Sequence, residues 1–219
     1  MNTKEKFVIT INRELGSGGR TVGRKLAEEL GVEFYDKAVI KALEEKYHLS
    51  MEEIEGLKGR SHTWWAELKR AIIGSDKEAI AKYYLDSSPV KPYPPTSFEM
   101  FQAEKEILRG IAEEESCVVA GRSGFFIFRE HPNHLSVLIQ ASLPYRVARV
   151  MRKQNMTVDE ARKTIEKVDK MRENYVKEYT GTSRYDTRNY DLVISMDQLS
   201  EDDAVEHILD FIKRTSKFT

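Results

Sequence analysis

Apolar positions fall along the chain in two rhythms. The first is short and dense: Phe7, Val8, Ile9 and Ile11, then VEFYD at 32–36, CVVAG at 117–121, LSVLIQA at 135–141 and YDLVISM at 190–196. Runs of this length, rich in β-branched and aromatic residues, predict buried strands. The second rhythm returns every three or four residues. Val22, Leu26, Ala27 and Leu30 follow it after the first strand, and Gly31 stops that helix. Val39, Ile40, Leu43 and Tyr47 predict a helix after the second strand. Phe98, Phe101, Ile107, Leu108 and Ile111 predict another over 98–115, with Thr96 or Ser97 as its cap. LPYRVARVMRKQN, TVDEARKTIEKVDKMRENYVKEY and SEDDAVEHILDFIKR predict three more, the last capped at Ser200 with acids in its first turn, while TGTSRYDTRN reads as a loop. Five strands alternating with helices predict an α/β fold on a parallel sheet with right-handed crossovers.

Residues 50–97 break the rhythm. SMEEIEGL resembles a capped helix start, Trp64 and Trp65 stand among polar residues, and SSPVKPYPPTS holds four of the six prolines. The stretch reads as a helical insert or flap. Its tryptophans fit packing onto the core or a second subunit better than stacking on a base.

Composition narrows the class. Lys+Arg 35 against Asp+Glu 36 gives no basic field, which argues against nucleic acid as a partner. Cys117 is the sole cysteine, inside an apolar run. A disulfide framework and a thiolate metal site are excluded, and a buried core thiol is expected. The start, MNTKEKFVITIN, lacks the long apolar segment of a signal peptide, and no apolar run reaches membrane-spanning length. A cytoplasmic protein with no membrane partner is expected. The 219 residues suit a single domain carrying an insert, and a homo-oligomer stays open.

The candidate chemistry starts between the first strand and its helix, at RELGSGGRT. Gly16, Ser17, Gly18 and Gly19 let the backbone approach a ligand, and the helix that follows presents unpaired N–H groups at its start, a geometry suited to phosphate. Two motifs compete for it. On the Walker A pattern, Arg13 stands where the first glycine belongs, Gly18 is the second glycine, and Gly19-Arg20 fills the place of the lysine with one residue too many before Thr21. On the dinucleotide pattern, Gly16 and Gly18 fit, Thr21 fails, and Asp36 lies near the expected distance for a ribose-binding acid. Ligands of parallel sheets sit at the C-terminal strand ends, which gathers Arg13–Arg20, Asp36 and Arg122 at one edge. Arginine suits a bidentate grip on phosphate, and Arg122 directly after VVAG is awkward unless it enters a cleft. Arg149, Arg172, Arg184 and Arg188 follow on later helix or loop. Asp169 and Arg172 lie one helical turn apart, as a plain ion pair or a closing lid element. Gln102 lies on the helix over 98–115.

ITINRELGSGGRTVGRKLAEELGVEFYDK, CVVAGRSGFFIF, VDKMRENYVKEYTG and NYDLVIS together resemble the cytidylate kinase-like family, a divergent branch of the P-loop nucleoside monophosphate kinases. The resemblance covers most of the chain outside residues 50–95. It implies one P-loop domain over 1–219, with a five-stranded parallel sheet flanked by helices, a substrate-side flap at 50–97 and a lid at 157–189. It implies ATP-dependent phosphoryl transfer, with Mg²⁺, to a nucleoside monophosphate (CMP-like) or a related small acceptor. By resemblance Gly16, Ser17, Gly18, Gly19 and Arg20 cradle the ATP phosphates, Thr21 meets Mg²⁺ and Arg149 contacts ATP. Asp36, Gln102, Arg122, Asp169 and Arg172 lie toward the substrate, and Arg20, Arg122 and Arg172 act in transfer. This sequence departs from the family in lacking the Walker lysine, for which Arg20 is the nearest substitute, and in reading GRS rather than GRD after the third strand. A nucleotide-binding sensor without turnover, and a dinucleotide-dependent enzyme, are the alternatives.

Overall fold

The computed structural model describes residues 1–36, 98–121 and 123–215. The predicted helix after the second strand, the insert at 50–97 with Trp64 and Trp65, and Arg122 lie outside the described residues. The elements are β1 (Val8–Arg13), α1 (Gly19–Leu30), β2 (Glu33–Asp36), α2 (Phe98–Glu114), β3 (Cys117–Ala120), α3 (Gly124–Ile127), β4 (His134–Gln140), α4 (Leu143–Gln154), α5 (Val158–Thr180), a 3-10 turn (Thr187–Asn189), β5 (Leu192–Ser195) and α6 (Glu201–Thr215). All five strands expected from the apolar runs are present. The chain divides into two compact units, Met1–Tyr35 with Ser116–Thr219, and Asp36–Glu115.

In the first unit the strands follow the order β2-β3-β1-β4-β5. The β1/β3, β1/β4 and β4/β5 ladders are parallel, with Ile11 opposite Ala120 and Arg13 opposite Ile139. Alternation along β1 sends Phe7, Ile9 and Ile11 to one face. They pack there with Val118, Val137 and Ile139 against Val22, Leu26 and Ala27 of α1 and Ala204, Val205, Ile208 and Ile212 of α6. Each Val, Leu, Ile or Phe among them, once fully buried, contributes about 1.5–3 kcal/mol. Arg13 continues that same face to the end of the sheet, where α1 begins. On the opposite face, Gly124 of α3 lies so close to Thr10 that an added Cβ would stand 2.8 Å from the threonine methyl. Helix α3 is too short for any periodic signal, which is why the sequence pattern misses it.

Local chemistry sets the element ends. Gly31 adopts φ 64° and closes α1, the predicted stop. Ser142 caps α4 by accepting from the Tyr145 amide, with Pro144 in the first turn. Thr157 and Glu160 form a reciprocal capping box on α5, the 23-residue helix. Ser200 and Asp203 do the same for α6. Val147 and Val150 of α4 pack on Ala161 and Ile165 of α5, with Leu15 of the glycine loop resting on the cluster. The loop therefore has a hydrophobic anchor on the α4–α5 pair.

In the second unit, α2 buries Phe101, Ile107, Leu108 and Ile111, as its spacing predicts; Glu104 and Ala112 are buried too. Cys117 is buried, as expected. Among the described residues, no helix is long and apolar enough to cross a membrane.

Candidate functional site

The turn between β1 and α1 is held open by two glycines in the left-handed region, Gly16 at φ 85° and Gly18 at φ 89°. A Cβ at Gly16 would stand 2.7 Å from the Arg146 carbonyl oxygen. Ser17 faces inward and is fully buried. Its hydroxyl lies 3.0 Å from the Glu14 carbonyl and 3.1 Å from that of Ile139, and its amide donates to Glu14. The Glu14 amide donates to Ile139, so the turn is seated on the end of β4. Gly18 is the N-cap of α1, and no side chain caps that helix. The first-turn amides of Gly19, Arg20 and Thr21 thus have no helical carbonyl to bond, and the helix dipole adds positive potential there.

Around this turn, guanidiniums converge on one buried acid. Asp169, 7% exposed, accepts the Leu15 amide at 3.0 Å and faces three arginines. Arg146 reaches its Oδ2 at 2.5 Å, Arg184 its Oδ1 at 3.5 Å and Arg172 the same oxygen at 3.7 Å. The predicted Asp169–Arg172 pair exists, one turn apart on α5, as the weakest contact of the set. Arg146 also lies 3.7 Å from Glu14 and donates to the Leu15 carbonyl. Glu14 in turn accepts the Ala141 amide. Arg172 and Arg184 both donate to the Arg13 carbonyl. Desolvation, and then the like charge of Arg184, push Arg172 down to about 10, so it stays charged at neutral pH. Three guanidiniums against two carboxylates leave the cluster cationic.

Arg184 itself is 1% exposed. Its carbonyl is fixed by the Tyr190 hydroxyl at 2.7 Å and by Asn12, which also bonds Tyr190. Burial raises Tyr190 to about 12, so the hydroxyl keeps its proton as a donor. A fourth cation, Arg149, packs over Gly18, approaches the Thr21 hydroxyl at 3.4 Å and pairs with Glu201 at 2.6 Å. Arg13 completes the ring: its stem runs beside Gly19 and its guanidinium lies on Gly121, which has φ 80°. Ser123, next in the GRS stretch, is buried with φ 56°, and its hydroxyl has no hydrogen-bond partner among the described residues.

The structure thus brings together Gly16, Ser17, Gly18, Gly19, Thr21, Arg149, Asp169 and Arg172 in the first unit. Arg20 is exposed on the second position of α1. Arg188 is exposed as well, its side chain 88% open, and it pairs with Asp186. Asp36 is buried at the end of β2 and Gln102 is half-buried on α2, both within the second unit. Arg122 lies outside the described residues. Sequence reasoning left Glu14 and Arg146 out of the site and gave Arg184 no special place. Arg146 sits three residues before Arg149, a spacing that puts both on one helical face, so a signal existed. Arg184 lies in a loop, where burial is decided only by tertiary packing.

The site offers little to hold a metal alone. Among the described residues, no group of three His, Cys, Asp or Glu side chains could bind one. The Thr21 hydroxyl remains a single oxygen donor.

Comparison with known proteins agrees with this geometry. The model of the cytidylate kinase-like family matches residues 8–198. A protein of Methanopyrus kandleri described as cytidylate kinase is 26% identical over 208 residues, covering 90% of this chain and 88% of that one. The crystal structure of an uncharacterised protein from Eubacterium ventriosum superposes with a TM-score of 0.65 at 23% identity, covering 94% of this chain and 98% of the other. With the family model spanning β1 to beyond β5, the open glycine turn at α1 and the five-stranded sheet are features of a chain that belongs to the cytidylate kinase-like family, with a P-loop kinase fold.

Proposed function

We propose that this protein transfers the γ-phosphoryl group of ATP to a small acceptor, a nucleoside monophosphate of the CMP kind. Family membership supports nucleotide-dependent phosphoryl transfer. The finer reading rests on one observation: an uncapped helix start at Gly18–Thr21, ringed by Arg13, Arg146, Arg149, Arg172 and Arg184. Phosphoryl transfer needs little covalent chemistry, and its acceleration comes from in-line positioning and from cations that offset charge on the transferred group.

The residues fit such a ligand. Gly16 and Gly18, both at positive φ, shape the turn, and the α1 amides supply donors for phosphate oxygens. Arg149 would hold the nucleotide beside Gly18. Arg172, with its side chain one-third exposed, would reach the transferring phosphoryl from the lid helix. Asp169 would keep that helix against the loop through Leu15. Mg²⁺ supplies charge neutralisation on the phosphates when bound; Thr21 would offer one oxygen, and phosphates and waters the remainder. Arg20 lies exposed on the first turn of α1, within reach of a long polyphosphate. Asp36, Gln102 and Arg122 are proposed for the acceptor side, the 50–97 segment as its flap and 157–189 as the lid. A lid that closes excludes water and protects ATP from hydrolysis.

ADP release from ATP and Mg²⁺, measured against CMP, UMP, AMP, GMP and a non-nucleotide alcohol, tests the proposal. Acceptor-stimulated release, steeply reduced in Arg122→Ala, is the expected result. A second reading, a nucleotide sensor without turnover, draws on the lack of a lysine after the loop glycines, where Arg20 is the nearest substitute. ATP binding with no acceptor stimulating release favours the sensor.

A further inference from the structure

We propose that Glu201, in the first turn of α6, is a positioning residue for the nucleotide: its carboxylate holds the Arg149 guanidinium over Gly18, at the start of α1, before ATP arrives. The inference rests on the proposed ATP site and names the residue that prepares its cation.

Arg149 is a long side chain on α4, outside the glycine turn it serves. Ordering such a side chain only on binding would cost affinity. Here three contacts fix it beforehand. A Cβ added at Gly18 would stand 3.5 Å from Arg149 Cζ, 3.5 Å from Nη2 and 3.7 Å from Nε. Near-equal distances to three atoms of one plane put that point above the plane, so the guanidinium lies face-on over the glycine. Its Nη2 reaches the Thr21 hydroxyl at 3.4 Å and the Glu201 carboxylate at 2.6 Å. The bond to Glu201 is the short one, and the pair is well shielded, with side chains 11% and 26% exposed. Glu201 therefore decides how the plate is turned, while the glycine decides how close it comes.

The segment that carries Glu201 is itself braced. Asp197 accepts the Ser142 amide at 3.1 Å and also the Ser142 hydroxyl, at the cap of α4. It accepts the Ser195 hydroxyl at 2.9 Å as well. Asp202 pairs with Lys25 of α1 at 2.5 Å. Asp203 closes the capping box with Ser200. The run from Ser195 to Asp203 thus grips α4 at its cap and again two turns on, at Arg149, and ties both to α1. Charge gives the acid a second task. Burial, and then the like charge of Arg149, push Lys153 below its ordinary value; Glu201 opposes them, and Arg24 and Arg20 add to the shift. Glu201 stands among four cations. Without it, Arg149 and Lys153, one turn apart on α4, repel with nothing between them to offset the charge.

The sign of one measurement separates this role from that of a bystander. An acid that merely lies near an anion site repels the anion, so its removal tightens binding. Removal of an acid that positions the binding cation weakens it. The test uses the full chain, calorimetric titration with ATP and Mg²⁺, and near-ultraviolet circular dichroism to read the fold. Glu201→Gln should weaken ATP about threefold to tenfold with the fold intact. Glu201→Asp keeps the charge and should recover part of that loss. Asp202→Asn removes the same charge from a solvent-facing pair in the same turn, and should leave ATP within about twofold of wild type. In Glu201→Gln/Arg149→Gln the first change should add nothing to the loss from Arg149→Gln alone, as expected when one residue acts through the other. A folded Glu201→Gln that binds ATP as well as wild type, or better, overturns the inference while the ATP site stands. So does an additive loss in the double variant. Should Glu201→Gln fail to fold, Glu201→Asp carries the test: its shorter reach should weaken ATP measurably, and unchanged binding overturns the inference. If wild type binds no ATP, or Arg149→Gln binds it unchanged, the proposed site falls and this inference with it.

Discussion

Replacing Asp169 is the sharpest test of how the loop is held. The carboxylate is 7% exposed and accepts one main-chain amide, that of Leu15, at 3.0 Å. It also balances Arg146 at 2.5 Å and Arg184 at 3.5 Å, and Arg184 is itself 1% exposed. Asp169→Ala leaves both guanidiniums inside the protein, next to the like charge of Arg172. Breaking a buried pair this way costs about 3–5 kcal/mol, because the surviving charge has nowhere to go. The lost bond to Leu15 adds about 1 kcal/mol. A sum near 5 kcal/mol should lower the melting temperature by roughly 10–20 °C for a protein of this size. Asp169→Asn keeps the shape and can still accept from Leu15, so it should lose roughly half as much. Near-ultraviolet circular dichroism during heating measures both. Raising the salt should barely change the gap between variant and wild type, since the groups are shielded from solvent. A melting point for Asp169→Ala within about 3 °C of wild type corresponds to under about 1 kcal/mol, and would refute the view that this acid neutralises buried arginines.

Three further outcomes follow from the same geometry. Gly16→Ala forces a Cβ to 2.7 Å from a main-chain oxygen at φ 85°; it should cost at least about 2 kcal/mol in urea unfolding and weaken ATP, and an unchanged midpoint would count against the turn as described. Tyr190→Phe removes the hydroxyl that joins Asn12 to the Arg184 carbonyl; a loss of about 1–2 kcal/mol is expected, and no loss would mean the bond does not position Arg184. His134, bonded to Thr10 at 2.8 Å, is lowered by burial to about 4, below its ordinary 6.5. The unfolded chain therefore takes up a proton first: stability is full above pH 6.5 and declines as pH falls toward 4, by at most about 3 kcal/mol. His134→Gln should flatten that slope, and an identical acid profile in wild type and variant would refute it.

How much of this was legible in the sequence depended on what kind of signal each feature left. The strands and long helices were written in apolar periodicity, and the caps at Gly31 and Ser200 in residue chemistry. The order β2-β3-β1-β4-β5 left no local trace, because parallel pairing is settled between segments far apart in sequence. The glycine turn is visible in the sequence, but the inward turn of the Ser17 side chain to the β4 carbonyl of Ile139 is not. Arg184 was the least legible residue. A loop arginine between serine and tyrosine carries every mark of a solvated charge, and only the meeting of Asp169, Tyr190 and the end of β1 makes it a buried strut.

That distinction between struts and free hands orders the arginines. Arg146 and Arg184 each hold Asp169 from positions with almost no solvent access, and moving either would strand a charge in the interior. Arg172 differs. It is the farthest of the three from the carboxylate, at 3.7 Å, and a third of its side chain meets solvent. If it swings toward an incoming anion, Asp169 still has two partners and no buried group loses its last one. The other two arginines thus make Arg172 dispensable to the fold, and so available to a ligand. By this reasoning Arg172→Ala should melt within a few degrees of wild type yet lose phosphoryl transfer, whereas Arg184→Ala should lose the fold and the activity together. Equal stability losses in the two variants would show that the ring has no such division of labour.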